Sequence, residues 1–335
     1  MNEISFRESL DLADPLYVDV RSPSEYAHDH IPGAVNIPIF SDDERKEVGT
    51  LYRQAGRDEA VLRGTEYGGR KISSIVSAMS GYRGKDIVVY CARGGMRSSS
   101  VASLISSIGI PVYRLDRGYK GYRAHVLSEL ATCRGAGRLV VLQGLTGVGK
   151  TEIIRRLSCG IDLEKMAGHR SSLFGGMGLV QNTQKMFDSL LALRLREVAG
   201  LHYAVIEGES KKIGGVHMPE PLYAWLKDSP VILVEAPMER RIEVLITEYT
   251  ASGGADAVPI VQSLRSKLGS KTVDDLVELF NRGNLHDFVE LLLVRYYDPL
   301  YQYSLDRLHF IGTVENLDPD RAAEEVTDMA DSFLF

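Results

Sequence analysis

Residues 87–100 read IVVYCARGGMRSSS. Ile87 to Tyr90 is an apolar run of the kind that forms a strand buried on both faces, and Cys91 stands at its end. Gly94 and Gly95 let the chain bend, and a helix follows in which Val101, Leu104, Ile105 and Ile108 recur at i, i+3, i+4 and i+7. Gly109 and Pro111 stop that helix, and Val112–Leu115 predicts the next strand. Strand, helix, strand in this order predicts a parallel sheet with crossover helices. A thiol at a helix N-terminus, near Arg93 and Arg97, is in a setting that favours the thiolate. The spacing Cys-x-x-Gly-x-x-Arg-Ser fits a cysteine-dependent phosphatase loop, and the strand–loop–helix order fits a sulfurtransferase equally well. The loop alone leaves both open.

Upstream, Pro15 to Val20 (PLYVDV) predicts another buried strand, and downstream DRGYKGY (116–122) reads as a glycine-rich turn. Ala131 to Arg138 (ATCRGAGR) is small and polar, as a linker is. A new strand, Leu139 to Gln143, runs directly into Gly144-Leu145-Thr146-Gly147-Val148-Gly149-Lys150-Thr151. Further strands are predicted at Tyr203 to Glu207 and Val231 to Ala236, and Val261 to Tyr303 reads as helical with one break at Asn281 to Asn284. The predicted fold class is α/β throughout. A parallel sheet with helices on both faces occupies residues 1–132, and an α/β phosphate-loop domain with a helical C-terminal part occupies 137–335.

The second stretch matches GxxxxGK[ST] between a strand and a helix, the context in which that motif binds phosphate. Gly144, Gly147 and Gly149 let backbone N–H groups converge on an anion, Lys150 supplies a point charge, and Thr151 is placed to hold a magnesium ion bridging two phosphates. Nucleotide hydrolysis is a separate matter. The strands that would carry the magnesium-holding aspartate end in Glu207 and Glu235 instead, so diphosphate binding is what the motif supports.

Net charge is −6 over 335 residues, which excludes a wholesale basic coat for nucleic acid but not a local patch. Arg83 to Arg123 is such a patch, with eight Lys or Arg against Asp86 and Asp116, and Cys91 lies within it. The last twenty residues are acidic and read as a solvated helix or tail. Cys91, Cys133 and Cys159 form neither a disulfide framework nor a metal spacing, and the expected location is the cytoplasm. The start lacks a signal-peptide core, and no apolar run approaches a membrane span.

Asp19-Val20-Arg21-Ser22-Pro23-Ser24-Glu25-Tyr26 and His30-Ile31-Pro32-Gly33-Ala34-Val35-Asn36-Ile37-Pro38 resemble the paired signatures of rhodanese domains, which share their fold with one group of cysteine phosphatases. Here Met96 lengthens the loop by one residue, to a phosphate-sized cradle, and Tyr90 replaces the usual phosphatase histidine. A rhodanese domain joined to a phosphate-loop domain resembles the tRNA 2-selenouridine synthase family. The likeness extends through ERKEVGTLYRQAGRDEAVLRG (44–64), GHRSSLFGGMG (168–178), QNTQKMFDS, EGESKKIGG and RYYDPLY (295–301).

The resemblance implies an enzyme that replaces sulfur by selenium at a wobble 2-thiouridine of tRNA, after geranylation of that sulfur. Its co-substrates would be selenophosphate and geranyl diphosphate. It implies Cys91 as a selenosulfide (S-selanylcysteine) carrier with Arg93, Gly94, Gly95 and Arg97 around selenophosphate. The diphosphate would lie on Gly144, Gly147, Gly149, Lys150 and Thr151. Arg170, Lys211, Lys212, Arg240 and Arg241 are candidate contacts for the anticodon region of tRNA, and Tyr67, Tyr119 or Tyr122 would stack its base. No tightly bound cofactor or resident metal is expected beyond magnesium arriving with the diphosphate. The chain is expected to be a monomer off the membrane, with a selenophosphate-supplying enzyme as a partner. The competing expectations are a rhodanese-fold cysteine phosphatase or sulfurtransferase with a nucleotide-binding domain, and a non-catalytic RNA-binding adaptor.

Overall fold

The computed structural model describes residues 2–134, 137–170, 172–251 and 257–334. The chain divides into two compact units, Met1–Glu129 with Asp188–Leu190, and Leu130–Phe187 with Leu191–Phe335. The expected linker at 131–138 lies partly outside the described residues.

The first unit carries strands β1 (Asn2–Ile4), β2 (Pro15–Asp19), β3 (Val35–Asn36), β4 (Asp86–Tyr90) and β5 (Val112–Leu115) in one sheet of order β1-β5-β4-β2-β3. Every pairing is parallel. Ile87, Val88, Val89 and Tyr90 of β4 are fully buried because both faces of the sheet are covered, which is why the strand reads as an unbroken apolar run. The predicted helix after it spans Met96–Ser107 and buries Val101 and Ile105.

Three helices between β3 and β4, Asp42–Gln54, Arg57–Arg70 and Ile72–Ser80, have no counterpart among the predicted elements. Their limits were legible: Ser41 and Glu44 make a reciprocal cap at the first, and Gly56, at φ +103°, divides it from the second. The interiors of the first two were not, because Gly49, Gly64, Gly68 and Gly69 interrupt the apolar period.

In the second unit β6 (Leu139–Gln143), β7 (Gly160–Ile161), β8 (Ala204–Glu207), β11 (Val231–Glu235) and β12 (Phe310–Glu315) form a parallel sheet of order β12-β11-β6-β8-β7. Between β8 and β11, β9 (Lys212–Ile213) and β10 (Val216–His217) make a small antiparallel ribbon. The helical part runs from Met238 to Leu305 around its own core of Ile242, Leu276, Phe288, Leu292 and Tyr297. The expected break at 281–284 is present, closed by the Asn284 side chain accepting the Asp287 N–H. Gly269, at φ +79°, makes a further break.

One expectation is corrected. The acidic C-terminal segment is a helix, Pro319–Leu334, but it is not a solvated one: Ala322, Ala323, Val326 and Ala330 are buried in the core beside Val314 of β12. Small side chains on one stripe let the helix lie close to the sheet while its acids face water. Among the described residues no helix is long and apolar enough to cross a membrane.

Candidate functional site

In each sheet the candidate residues sit where loops leave the C-terminal ends of parallel strands, the usual place for a site in α/β folds. In the first unit Cys91 leaves β4, Arg21 follows β2 and Asp116–Gly118 follows β5. The Cys91 carbonyl accepts from Tyr119 N–H at 2.8 Å and the Ala92 carbonyl from Lys120 N–H at 3.0 Å, so the stretch DRGYKGY is the floor of the cysteine loop. Only Asp116 and Arg117 are the expected turn, and from Gly118 it is the start of a helix, Gly118–Ala131. Gly118, at φ +53°, approaches so closely that an added Cβ would overlap Cys91 O and Gly94 N. Gly94, at φ +66°, is pressed equally: a Cβ there would lie 2.9 Å from the backbone N of Arg117 and of Gly118. Arg114 donates to the Gly94 carbonyl and holds the bend from the other side. None of Arg114, Arg117 or Gly118 was singled out from sequence; the glycine pair in that turn was the available signal.

Cys91 is 4 % exposed, and its Sγ lies 3.2 Å from the Ser98 hydroxyl. Burial pushes the thiol up, but the Ser98 hydroxyl, the N–H groups of Arg93 and Ser98 and the charge of Arg97 together outweigh it and hold the thiol below the ordinary range. Cys133 and Cys159, which have no hydroxyl donor like Ser98, are pushed up by burial, which outweighs the backbone N–H groups near them. Arg97 reaches Glu25 with both terminal nitrogens, at 2.6 and 3.3 Å, which ties the cysteine loop to the stretch after β2. Gly95 caps the helix from an extended conformation, and the Arg93 side chain is exposed. Asp19, Arg21 and Asp29 form a buried ion-paired group beneath the loop, with Arg21 lying 4.3 Å from the Tyr119 ring centroid. That group is scaffold.

In the second unit the phosphate loop joins β6 to the helix Lys150–Ile154. Gly147 and Gly149, at φ +82° and +79°, take conformations that favour glycine, and a Cβ on Gly149 would run into Asn316 and Glu152. Asn316, directly after β12, is buried and donates to the Val148 carbonyl at 2.8 Å. Sequence reasoning missed it because β12 was not read as a strand. Lys150 Nζ donates to the carbonyls of Gly144 (2.9 Å) and Leu145 (3.2 Å). Thr151 Oγ1 lies 3.1 Å from a Glu164 oxygen and 3.2 Å from a Glu207 oxygen.

The sequence assigned no resident metal ligand, yet Glu164, Glu207 and Glu209 bring carboxylate oxygens within 4.8 Å of one another beside Thr151. Burial and the neighbouring charges of Glu164, Glu209 and Asp162 push the Glu207 carboxyl well above the usual carboxylate range. An all-oxygen, acid-crowded set of this kind fits a hard divalent cation such as magnesium. The cleft over the loop has about 150 Å³ of space and is lined also by Arg170 and Glu248. Burial, with the Glu164 charge, pushes the Glu248 carboxyl up to about 7.

Of the five basic candidates, Lys211 and Lys212 are exposed, Lys211 pairing with Glu220. Arg170 lies on the phosphate-loop cleft. Arg241 is corrected: it is 4 % exposed, donates to the Thr146 carbonyl at 2.9 Å and pairs with Asp298 at 2.5 Å, so it braces the phosphate loop instead of meeting RNA. Arg240 is paired with Glu152 at 2.7 Å. Tyr119 and Tyr122 are corrected too, being buried with no face open to a base. Tyr67 is half-buried, with Arg63 and Arg70 over its ring and its hydroxyl on Glu47.

Comparison with known proteins finds matches along both parts of the chain. The pattern described as the tRNA 2-selenouridine synthase AAA domain matches residues 137–316, and the rhodanese-like domain pattern matches 5–125. A tRNA 2-selenouridine synthase of Pseudomonas syringae pv. tomato is 32 % identical, with 91 % of this chain and 93 % of that protein covered. One from Hydrogenovibrio crunogenus is 32 % identical over 87 % of this chain and 89 % of its own. Another, from Bordetella bronchiseptica, is 33 % identical over 88 % and 90 %. With both patterns matched in order, and with relatives aligned over nearly their whole length, the chain belongs to the tRNA 2-selenouridine synthase family.

Proposed function

We propose that this protein converts a tRNA 2-thiouridine to 2-selenouridine in two steps, alkylation of sulfur by geranyl diphosphate and replacement of the alkylated sulfur by selenium from selenophosphate. The observation that carries this reading is the presence on one chain of two anion cradles of different chemistry, one around a thiol held below its ordinary pKa and one around a lysine.

In the first step the thiocarbonyl sulfur forms a bond to C1 of the geranyl group as the C1–O bond breaks, and the electron pair leaves on diphosphate. Backbone N–H groups of Gly147 and Gly149, with Lys150, would take that charge at the start of the helix Lys150–Ile154. A magnesium ion, held by Glu164, Glu207, Glu209 and Thr151, would neutralise part of it. No nucleotide is consumed.

In the second step selenium attacks C2 of the base, the C2–S bond breaks, and its electron pair leaves on the alkylthiolate. Selenium is then joined to both base and phosphorus. The Cys91 thiolate attacks phosphorus, the Se–P pair passes to selenium, and water releases phosphate from the resulting S-phosphocysteine. A selenosulfide on Cys91, formed with phosphate as the leaving group, would require a two-electron acceptor that nothing in the reaction supplies, so it is not the step. The one-residue longer loop suits a phosphoryl group.

The test separates the half-reactions. Lys150→Ala is expected to weaken donor binding by roughly one to two orders of magnitude, the loss of one charge-assisted contact. It should stall at 2-thiouridine yet transfer selenium to tRNA supplied already geranylated. ATP consumed in step with product, or a Lys150→Ala protein that geranylates normally but cannot transfer selenium, would contradict the assignment.

A further inference from the structure

The first unit contains a cavity that the anion loop does not account for. It holds about 330 Å³ and is walled by Ile39, Phe40 and Val48 on one side and by Val101 and Leu104 on another; among the described residues Arg97 is the only charged one lining it. Ile39, Phe40 and Val101 also belong to the buried cluster that contains Cys91. The cavity therefore adjoins the cysteine loop, and Met96 and Arg97, within that loop, line it.

The third wall is the helix Arg57–Arg70, which turns Gly64, Gly68 and Gly69 toward the space. Glycine inside a helix is destabilising relative to alanine. Close packing explains Gly64, where a Cβ would lie 3.2 Å from Phe40. It does not explain Gly69, where a Cβ would meet nothing within 4 Å. What the missing side chains provide there is room.

We propose that this cavity binds the apolar chain carried on the sulfur of the alkylated base, and so positions the C–S bond that selenium displaces. The inference rests on the two-step reading above, in which the base arrives alkylated. A methylene takes up about as much space as a water's share of the liquid, about 30 Å³, so 330 Å³ accommodates a chain of roughly ten carbons. An acyclic chain fits a cavity that is long on apolar surface and lacks hydrogen-bonding side chains apart from Tyr52, Thr65, Arg97 and Ser100. Binding the chain spends apolar contact energy on orientation, since it fixes the sulfur beside the loop.

The test uses anticodon stem–loop RNAs whose 2-thiouridine carries S-alkyl chains of one, five, ten or fifteen carbons, with binding measured in the absence of selenophosphate. For the unmodified protein, Kd should fall at least about tenfold from one carbon to ten, from burial of methylenes, and little further at fifteen. Gly68→Leu fills the cavity from a position where a Cβ makes ordinary contact with Ile39, at 3.4 Å, and strengthens the helix. It should reduce the preference to less than about threefold without lowering Tm. Ser100→Leu, from the opposite wall, is the second variant should Gly68→Leu fold poorly. Chain-independent binding, or a preference untouched by both folded variants, would overturn the cavity's assignment even if selenium is transferred. A preserved preference without any selenium transfer would overturn the reaction and leave the cavity's assignment standing.

Discussion

Cys91 and Cys133 are both buried, yet their thiols are displaced in opposite directions, Cys91 below the ordinary range and Cys133 above it. The difference is the donors: the Ser98 hydroxyl at 3.2 Å and the N–H groups of Arg93 and Ser98 face Cys91. Ser98→Ala removes one of them. A hydrogen bond to a charged group contributes about 1.5–3 kcal/mol, so the thiolate fraction near neutrality should fall roughly tenfold. Removing stabilisation of the charged form raises the thiol's pKa, so the midpoint of the alkylation rate against pH should move upward for Cys91 and stay put for Cys133. Iodoacetamide labelling read peptide by peptide makes the comparison. An unmoved midpoint would mean that the backbone and Arg97 suffice.

At the scale of elements, both cradles follow one plan: a buried parallel strand, a glycine-bent loop, a helix, and a second segment of chain pressed against the loop. The pressing segments are Gly118 for the cysteine loop and Asn316 for the phosphate loop. Gly118→Ala must place a Cβ in a left-handed conformation against Cys91 O, and we expect a loss of about 2 kcal/mol or more in the stability of the first unit. Gly69→Ala, with free space for its Cβ, should instead add about 0.5–1 kcal/mol. Chemical denaturation of both variants checks the pair, and an equal response would show that the close approach of Gly118 is not a constraint. This contrast also marks what could be read from sequence. Cys91, the phosphate loop and their flanking strands were legible because local rules dictate them: apolar runs, glycines at bends, helical spacing. The segments that press on them were not, because their partners are distant in the chain. Asn316 is 168 residues from Val148. Gly312 interrupts the strand pattern of β12 where the helix Pro319–Leu334 crosses close by, with Met329 against it. The helix Arg57–Arg70 was not legible because Gly64, Gly68 and Gly69 interrupt its apolar period.

For the whole molecule, a net charge of −6 leaves any tRNA attraction to local basic residues, and burial sorts those that sequence alone could not. Lys212 is exposed; Arg241 is not. If Lys212 meets a phosphate, Lys212→Ala should weaken tRNA binding and reduce the slope of log K against log salt by about 1. Arg241→Ala should leave that slope alone and cost about 1–3 kcal/mol of stability, through the unpaired Asp298 and the freed Thr146 carbonyl. A salt titration with both variants distinguishes the roles, and a slope change for Arg241→Ala alone would reverse them. Whether selenium reaches tRNA through the Cys91 loop is decided by mass analysis of the nucleosides made from geranylated tRNA and selenophosphate by the wild-type protein and by Cys91→Ala. We expect 2-selenouridine from the wild type and, from a Cys91→Ala protein shown to be folded, none beyond a phosphorylated selenium intermediate. Free 2-selenouridine produced by Cys91→Ala at the wild-type rate would contradict it.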